Sequence, residues 1–284
     1  MSASAAAFVG TSRTRSAWSF PRFDPRLYQI ATLSSLLVYG LGWLHFDVRA
    51  DQAALILLGV LGTQYLGARL TAQRFDPKSA LISGLSLCLL LRTNDTALAL
   101  LAAVIAVGSK FVIRVRGKHV FNPTNVAIVA LMAATGRVWV SPGQWGNAAF
   151  FAFLMACLGG LVVNRAARSD VTYAFLFFYL SLVFSRSLYL GEPMAIPVHR
   201  LENGALLLFA FFMISDPKTT PDRRPARLAF AALVALGAAY VQFRLFRTNG
   251  LLWSLALASP LVPVIDRLWP APRYEWTPAE RSPR

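Results

Sequence analysis

Ten apolar segments, separated by short polar loops, account for most of this chain. They lie at roughly 27–46, 52–70, 79–91, 96–113, 123–135, 147–163, 171–190, 204–215, 227–243 and 250–268. A helix of about 17 or more residues can cross the roughly 30 Å hydrocarbon core of a bilayer. Because 56% of the 284 residues are hydrophobic and 14% are charged, the chain is too apolar for a soluble domain of its length. The sequence therefore predicts an all-α polytopic membrane protein, with the lipid bilayer as its first partner.

The third and eighth segments are too short to cross that core alone, and the fifth is also short. As helices, 79–91 would rise about 20 Å and 204–215 about 18 Å. Backbone that ends inside the hydrocarbon region is tolerated where protein or a wet cavity surrounds it. We therefore expect short, broken helices inside the bundle.

Two short stretches recur at one spacing in the two halves of the chain, 125 residues apart. The recurring stretches are Ala80-Leu81 with Ala205-Leu206, and Phe121-Asn122-Pro123-Thr124-Asn125 with Phe246-Arg247-Thr248-Asn249-Gly250. An odd number of spans in each half inverts the second half relative to the first. We predict a single transmembrane domain, 27–268, of about ten transmembrane helices, built from two inverted five-helix repeats at 27–135 and 147–268.

The formal charge of +15 is explained by arginine-rich loops between the apolar segments. With ten crossings and an inner N-terminus, 21 of the 28 lysines and arginines fall inside, against 19 if the third and eighth segments were re-entrant. This pattern predicts a multi-pass protein of a bacterial-type inner membrane and no nucleic-acid partner. Both ends are predicted to be cytoplasmic, as an arm at 1–26 and a disordered tail at 269–284.

The sequence contains no recognised arrangement for hydrolase, ATPase or metal chemistry. Two cysteines, Cys88 and Cys157, lie apart in apolar segments, and no Cys/His cluster is present. Gly117-Lys118 lacks the other residues of a phosphate-binding loop. We therefore predict no catalytic residues and no metal site, and favour a membrane subunit or transporter over a self-contained enzyme.

Four stretches resemble the NqrB/RnfD family, the membrane subunits of the sodium-pumping NADH:quinone reductase and of the Rnf electron-transport complex. They are 79–85, 117–125, 203–207 and 210–219, with Phe121-Asn122-Pro123 and Phe211-Phe212 before Asp216-Pro217 as the specific elements. The resemblance implies ten helices in an inverted arrangement, a role in electron transport and other membrane redox subunits as partners. Within the superfamily, the chain is most similar to the stand-alone UnbU-type proteins associated with enediyne biosynthesis.

One difference from the family concerns its flavin. In NqrB and RnfD, the threonine of a Ser-Gly-Ala-Thr stretch carries FMN through a phosphoester bond. The matching stretch here runs from Asn203 and Gly204 through Ala205 to Leu206, and leucine has no hydroxyl group. Covalent FMN is therefore excluded at Leu206. What the resemblance leaves is a non-covalent FMN, riboflavin or quinone-like ligand in a central cavity, with Asn203 and Gly204 at its edge.

Polar residues at the starts of two broken helices are the first candidates for a binding site. They are Asn122, Pro123, Thr124 and Asn125 in the first half, and Thr248 and Asn249 in the second. A helix N-terminus attracts anions and polar ligands through its free N–H groups and its dipole. Capping of the helix end is the alternative for each residue separately. Their recurrence in both halves favours a shared central site.

Charged residues beside the short segments are the second group of candidates. Lys118 is predicted to gather with Lys110 and Lys218 at one vestibule that holds an anion, or else to be a cytosolic loop charge, the interpretation favoured for Lys218. Asp216 is either an intramembrane carboxylate paired with Lys218 or Arg223, or part of an Asp-Pro turn that ends a helix.

These residues support one leading function and one alternative. The leading function is electron transport by a membrane protein of RnfD/NqrB type with a non-covalent flavin or quinone-like ligand. The alternative is a non-redox carrier or channel for a small metabolite, in natural-product biosynthesis of the enediyne kind.

Overall fold

A computed structural model describes residues 24–42, 48–140, 168–201 and 203–274, and nearly all of its regular structure is helical. In the first half, the helices are α1 (Pro25–Gly42), α2 (Ala50–Leu70), α3 (Pro77–Leu90), α4 (Thr96–Val112) and α5 (Pro123–Thr135). In the second half they are α6 (Ser169–Leu190), α7 (Ala195–Leu201), α8 (Gly204–Leu208), α9 (Arg224–Phe243), α10 (Gly250–Ala258) and α11 (Val262–Leu268). The predicted segment 147–163 lies outside the described residues.

Two of the second-half helices continue through irregular turns. α8 runs directly into a π-helical turn, Phe209–Met213, and α10 runs through a 3₁₀ turn, Ser259–Leu261, into α11. Pro260 and Pro263 lack the N–H groups that a regular helix would need at this second junction.

Four helical stretches are long and apolar enough to cross a membrane: Ala50–Leu70, Ser169–Leu190, Arg224–Phe243 and Gly250–Leu268. Between them lie shorter apolar helices, Pro77–Leu90, Thr96–Val112, Pro123–Thr135 and Gly204–Met213. The short helices include the third and eighth segments, which the sequence marked as too short to span alone, and the fifth, which it marked as short. The prediction of an all-α polytopic membrane fold with short helices is confirmed.

Helices pack in matching pairs in the two halves. α2 packs along α4 in the first half, and α6 packs along α9 in the second. In the same way α4 contacts α5, and α9 contacts α10. This correspondence supports the predicted repeat, while the domain limits and the number of crossings stay predictions.

Local sequence explains where the short helices begin and end. Asn122 caps α5 by accepting a hydrogen bond from the Asn125 N–H at 3.1 Å, and Pro123 occupies the first turn. Gly136 ends the helix in a left-handed conformation with φ 62°. At the end of α3, the buried guanidinium of Arg92 donates to the carbonyls of Cys88 and Leu91. These contacts satisfy helix-end groups that would otherwise be bare inside the bundle.

A short β-hairpin with a two-residue turn joins α4 to α5. Its strands, β1 (Arg114–Val115) and β2 (Lys118–His119), pair antiparallel, with Arg114 opposite His119. Arg116 and Gly117 both have positive φ, 51° and 79°, as the tightest hairpin turns require. Successive side chains of a strand point to opposite faces, so the hairpin directs Lys118 and His119 differently.

Parts of the two predicted end segments are described. At the N-terminal side, Asp24 hydrogen bonds to Arg26 and to Lys78 at the start of α3. At the C-terminal side, the Tyr274 carbonyl accepts a hydrogen bond from Lys218 at 2.9 Å, and the Arg168 guanidinium lies 4.9 Å from the Tyr274 ring centre. The rest of the predicted arm and tail lies outside the described residues.

The start of α10 packs tightly on α9 at Gly250. A Cβ atom added there would lie 2.7 Å from the Ala238 carbonyl oxygen, which belongs to backbone and cannot rotate away. We expect Gly250→Ala to destabilise the protein by about 1–3 kcal/mol, because the two helices must move apart. Thermal unfolding in detergent measures the loss.

Gly62 in the middle of α2 provides the matched control, since a Cβ added there meets no atom within 4 Å. Gly62→Ala is expected to leave stability unchanged or raise it by up to about 1 kcal/mol, from helix propensity. Equal melting temperatures for the two variants would contradict the close contact at Gly250.

Candidate functional site

Most of the predicted site residues line two separate cavities. The α5 cavity, of about 300 Å³, lies at the start of α5 and is lined by Asn122, Pro123, Thr124 and Asp216 together with Ser79, Ser83, Lys110, His119 and Lys218. The α10 cavity, of about 370 Å³, lies at the start of α10 and is lined by Thr248, Asn249 and Asn203 together with Trp139, Tyr179, Ala205, Phe209, Gln242 and Arg247. One shared central site was expected, and the described residues do not form it.

The short helices α3 and α8 connect the two cavities in opposite directions. Ser79, near the start of α3, lines the α5 cavity, and Leu90 at its end lines the α10 cavity. The segment of α8 and its π turn runs the other way, from Ala205 at the α10 cavity to Met213 at the α5 cavity. Inversion therefore brings equivalent helix starts to opposite ends of the bundle, which is why the recurring residues do not meet.

Between the cavities, α5 and α10 contact each other through polar side chains. The Asn125 side chain, which is fully buried, donates from Nδ2 to the Leu252 carbonyl at 3.2 Å. Asn249 Nδ2 lies 3.5 Å from the sulfur of Met132. Asn125 thus joins the two halves and lines neither cavity, whereas Asn249 both joins them and faces the α10 cavity.

Capping accounts for much of what the amide side chains do. Asn203 Oδ1 accepts hydrogen bonds from the N–H groups of Ala205 and Leu206, at 2.9 and 3.4 Å. Asn122 caps α5 and also reaches the Met213 carbonyl at 3.4 Å. Thr124 Oγ1 lies 3.3 Å from the Ser83 carbonyl. The capping alternative therefore fits Asn122, and the structure adds Asn203 as a second cap; both residues still border a cavity. Gly204 is buried behind Asn203.

Lys118 lies outside both cavities. Its ammonium donates to the Thr220 carbonyl at 2.6 Å and forms ion pairs with Asp222 and Asp266 at 3.0 and 2.7 Å. The hairpin turns the neighbouring His119 toward the α5 cavity instead. A vestibule of three lysines is therefore not formed, because Lys110 and Lys218 line the α5 cavity without Lys118.

Asp216 ends the broken helix and faces the α5 cavity as well. Its carboxylate accepts a hydrogen bond from the Lys218 N–H at 2.9 Å, and its carbonyl accepts one from the Thr220 hydroxyl at 3.0 Å. These are the bonds of the terminating turn that the Asp-Pro pair predicts. Lys218 contacts the Asp216 carboxylate through its backbone N–H, as part of this turn, and the predicted pairing of the two charges stays a prediction.

Sequence reasoning missed several residues of the site. His119 follows a hairpin turn, and burial together with the charges of Lys110, Arg114 and Lys218 lowers its pKa to about 4. Ser79 binds the Lys110 ammonium through both its carbonyl and its hydroxyl, at 2.8 and 3.1 Å. In the α10 cavity, the Tyr179 hydroxyl donates to Gln242 at 2.9 Å. A polar residue inside an otherwise apolar segment, as at Ser79, Tyr179 and Gln242, is the signal that would have found them.

Comparison with known proteins finds a family model that matches the second half of the chain. The model of the "NQR2, RnfD, RnfE family" matches residues 136–274, just under half of the chain. The D subunit of the ion-translocating oxidoreductase complex of Pectobacterium carotovorum subsp. carotovorum (strain PC1) is 33% identical over 128 residues, which cover 43% of this chain and 34% of that protein. The corresponding protein of Escherichia coli (strain K12) is 31% identical over 125 residues, with the same coverage. The chain is RnfD-like.

The matches support a place in the RnfD/NqrB superfamily for this multi-pass membrane protein. They span about a third of the length of the curated relatives. The matched residues include α8 and α10, and therefore most of the wall of the α10 cavity. The family match thus includes the stretch from Asn203 to Leu206.

Proposed function

We propose that this RnfD-like protein is a membrane subunit of an electron-transport system and binds a flavin or quinone-like ligand non-covalently in the α10 cavity. One observation carries the proposal. Asn203 and Ala205, from the stretch that resembles the flavin-attachment site, form part of the wall of this cavity. Relatives that match 43% of the chain are named as D subunits of ion-translocating oxidoreductase complexes.

The wall of the α10 cavity suits a planar redox ring. Aromatic side chains of Trp139, Tyr179 and Phe209 offer faces and edges for stacking. Gln242 and Asn249 offer amide groups that can bond to the carbonyl and N–H groups at the edge of such a ring. A volume of about 370 Å³ lies within the usual range for small-molecule sites.

A non-covalent mode follows from Leu206. Its side chain has no hydroxyl and is buried, with 3% exposed, so it neither forms a phosphoester nor lines the cavity. Arg247 provides a positive charge at the same cavity for a phosphate tail. A bound flavin or quinone would supply the electron-carrying chemistry, while the side chains named here hold and orient it.

Further parts of the proposal concern assembly and location. We propose that the protein works with other membrane redox subunits in an inner membrane, with cytoplasmic ends. It is then a non-catalytic subunit and not a self-contained enzyme.

Optical titration tests the proposal. We expect the purified protein either to carry flavin absorbance or to bind added FMN, riboflavin or ubiquinone, and a denaturing gel to show no fluorescent flavin on the chain. Ala205→Phe, which fills the α10 cavity, is expected to weaken binding at least about tenfold. Ser83→Ala in the α5 cavity serves as the matched control with unchanged affinity. Absence of binding for all three ligands would contradict the redox function.

A second function is favoured by the arrangement of the two cavities. Cavities at opposite ends of antiparallel short helices, separated by the packed contact of α5 with α10, are the geometry of an alternating-access carrier. The resemblance to the enediyne-associated branch points to a specialised metabolite as its solute. Proteoliposomes that accumulate or release such solutes would support the carrier, whereas intact flavin binding without any flux would reject it.

A further inference from the structure

Lys110 carries a buried positive charge on the wall of the α5 cavity. The residue is 7% exposed, and its ammonium donates two hydrogen bonds, both to Ser79. Within the described part of the chain, no carboxylate oxygen lies within ion-pair distance of this ammonium, although Asp76 and Asp216 line the same cavity. Burial of a cation without a counter-ion is unfavourable, and the third N–H of the ammonium remains to be used.

The other charged groups at the cavity have partners of their own. Arg26 also pairs with Asp24, at 2.8 Å. The Asp76 carboxylate is bound by Arg26 at 2.6 Å, and the Asp216 carboxylate accepts the Lys218 N–H. Neither carboxylate of the cavity contacts the Lys110 ammonium, which leaves the place beside it open to a negatively charged ligand.

Hydrogen-bond donors for such a charge surround the same space. Helix α3 begins at this cavity, and Asp76 makes no side-chain cap to its first turn. The free N–H groups and dipole at such a helix start favour an anion. The Lys110 charge and the helix start thus lie around one cavity.

We propose that the α5 cavity binds an oxyanion, namely the phosphate or carboxylate group of a small metabolite or of a lipid headgroup, with Lys110 as its principal ligand. The site is distinct from the α10 cavity and does not depend on flavin binding there. The alternative interpretation is that Lys110 stabilises the C-terminal end of its own helix. Its ammonium instead reaches across to the start of α3, away from the last carbonyls of α4.

Calorimetric titration of the purified full-length protein with inorganic phosphate, and separately with acetate, tests the proposal. We expect saturable binding of at least one anion and a loss of affinity of at least about tenfold in Lys110→Gln, because a charge-assisted hydrogen bond is removed. Lys78→Gln is the matched control. Lys78 belongs to the same helix start, is bound to Asp24 and does not line the cavity, so its variant should keep the affinity.

Two further arms separate the sources of the oxyanion and guard against misfolding. In nanodiscs, phosphate binding is measured with and without phosphatidylglycerol in the bilayer. Competition identifies a lipid headgroup as the ligand, and a lack of competition identifies a soluble anion. Both outcomes support the site. If Lys110→Gln does not fold, Lys218→Gln in the loop after the π turn is expected to weaken binding at least about threefold. Absence of saturable binding for both anions, or unchanged affinity in the lysine variant that folds, would overturn the proposal.

Discussion

Replacement of Lys118 by alanine is expected to destabilise the protein by about 3–5 kcal/mol, because it leaves two buried carboxylates without their cation. The Lys118 ammonium bridges Asp222 and Asp266, whose side chains are 7% and 17% exposed. It also donates to the Thr220 carbonyl at 2.6 Å. Through these bonds it joins the hairpin, the loop after the broken helix and the last helix. Thermal unfolding in detergent, followed by circular dichroism, measures the change.

Two controls test whether the loss of stability comes from the unpaired carboxylates and not from the loss of any lysine. Asp222→Asn combined with Asp266→Asn in the Lys118→Met background removes all three charges and should recover much of the lost stability. Lys78→Ala removes a lysine whose side chain is 38% exposed and should change stability by less than about 1 kcal/mol. If Lys118→Ala had the melting temperature of the wild type, the cluster of Lys118, Asp222 and Asp266 would not stabilise the fold.

The helices were predictable because their signals are local. Apolar runs and their lengths predicted α2, α6 and α9 to within a few residues, and the shortness of 79–91 predicted α3 as a broken helix. Asn122-Pro123 marked the start of α5 correctly, since an amide cap followed by proline stabilises a first turn whatever lies around it.

Elements with weak local signals were missed. α7, Ala195–Leu201, is seven residues long and contains Pro197, His199 and Arg200, so it shows no apolar run. The hairpin strands are two residues each. The π turn at Phe209–Met213 depends on packing, because Phe209 lies against Phe175 of α6 with ring centres 5.1 Å apart.

The sequence marked several residues that line the cavities but did not predict how they are grouped. Asn122, Thr124, Asn203, Asp216, Thr248 and Asn249 all border a cavity, as expected of polar groups at broken helices. Their division between two cavities depends on the direction in which each short helix runs through the bundle. Lys118 shows the same limit, because its carboxylate partners lie 104 and 148 residues away along the chain. Spacing along a sequence does not carry such information.

Stability is expected to fall as the pH is lowered from about 6.5 to about 4, because the half-buried His119 is neutral in the folded protein. Burial and the neighbouring charges of Lys110, Arg114 and Lys218 lower the folded pKa of His119 to about 4, while the unfolded chain titrates near 6.5. Within this range the unfolded state binds more protons than the folded state. The free energy of unfolding therefore falls as the pH is lowered. Above pH 6.5 the full contribution is present, and its loss by pH 4 amounts to about 2–3 kcal/mol.

The difference between the wild type and His119→Gln isolates this contribution, since carboxylates that titrate at low pH affect both proteins alike. We expect the melting temperatures of the two proteins to converge or cross as the pH falls from 7 to about 4.5, with the wild type losing more. His199, which is exposed on α7, provides the control, and His199→Gln should follow the wild-type curve. If the melting temperatures of the wild type and His119→Gln fall in parallel with pH, the prediction is wrong. The His119 ring would then take up its proton without destabilising the fold, and it would be in contact with water and not enclosed beside Lys110.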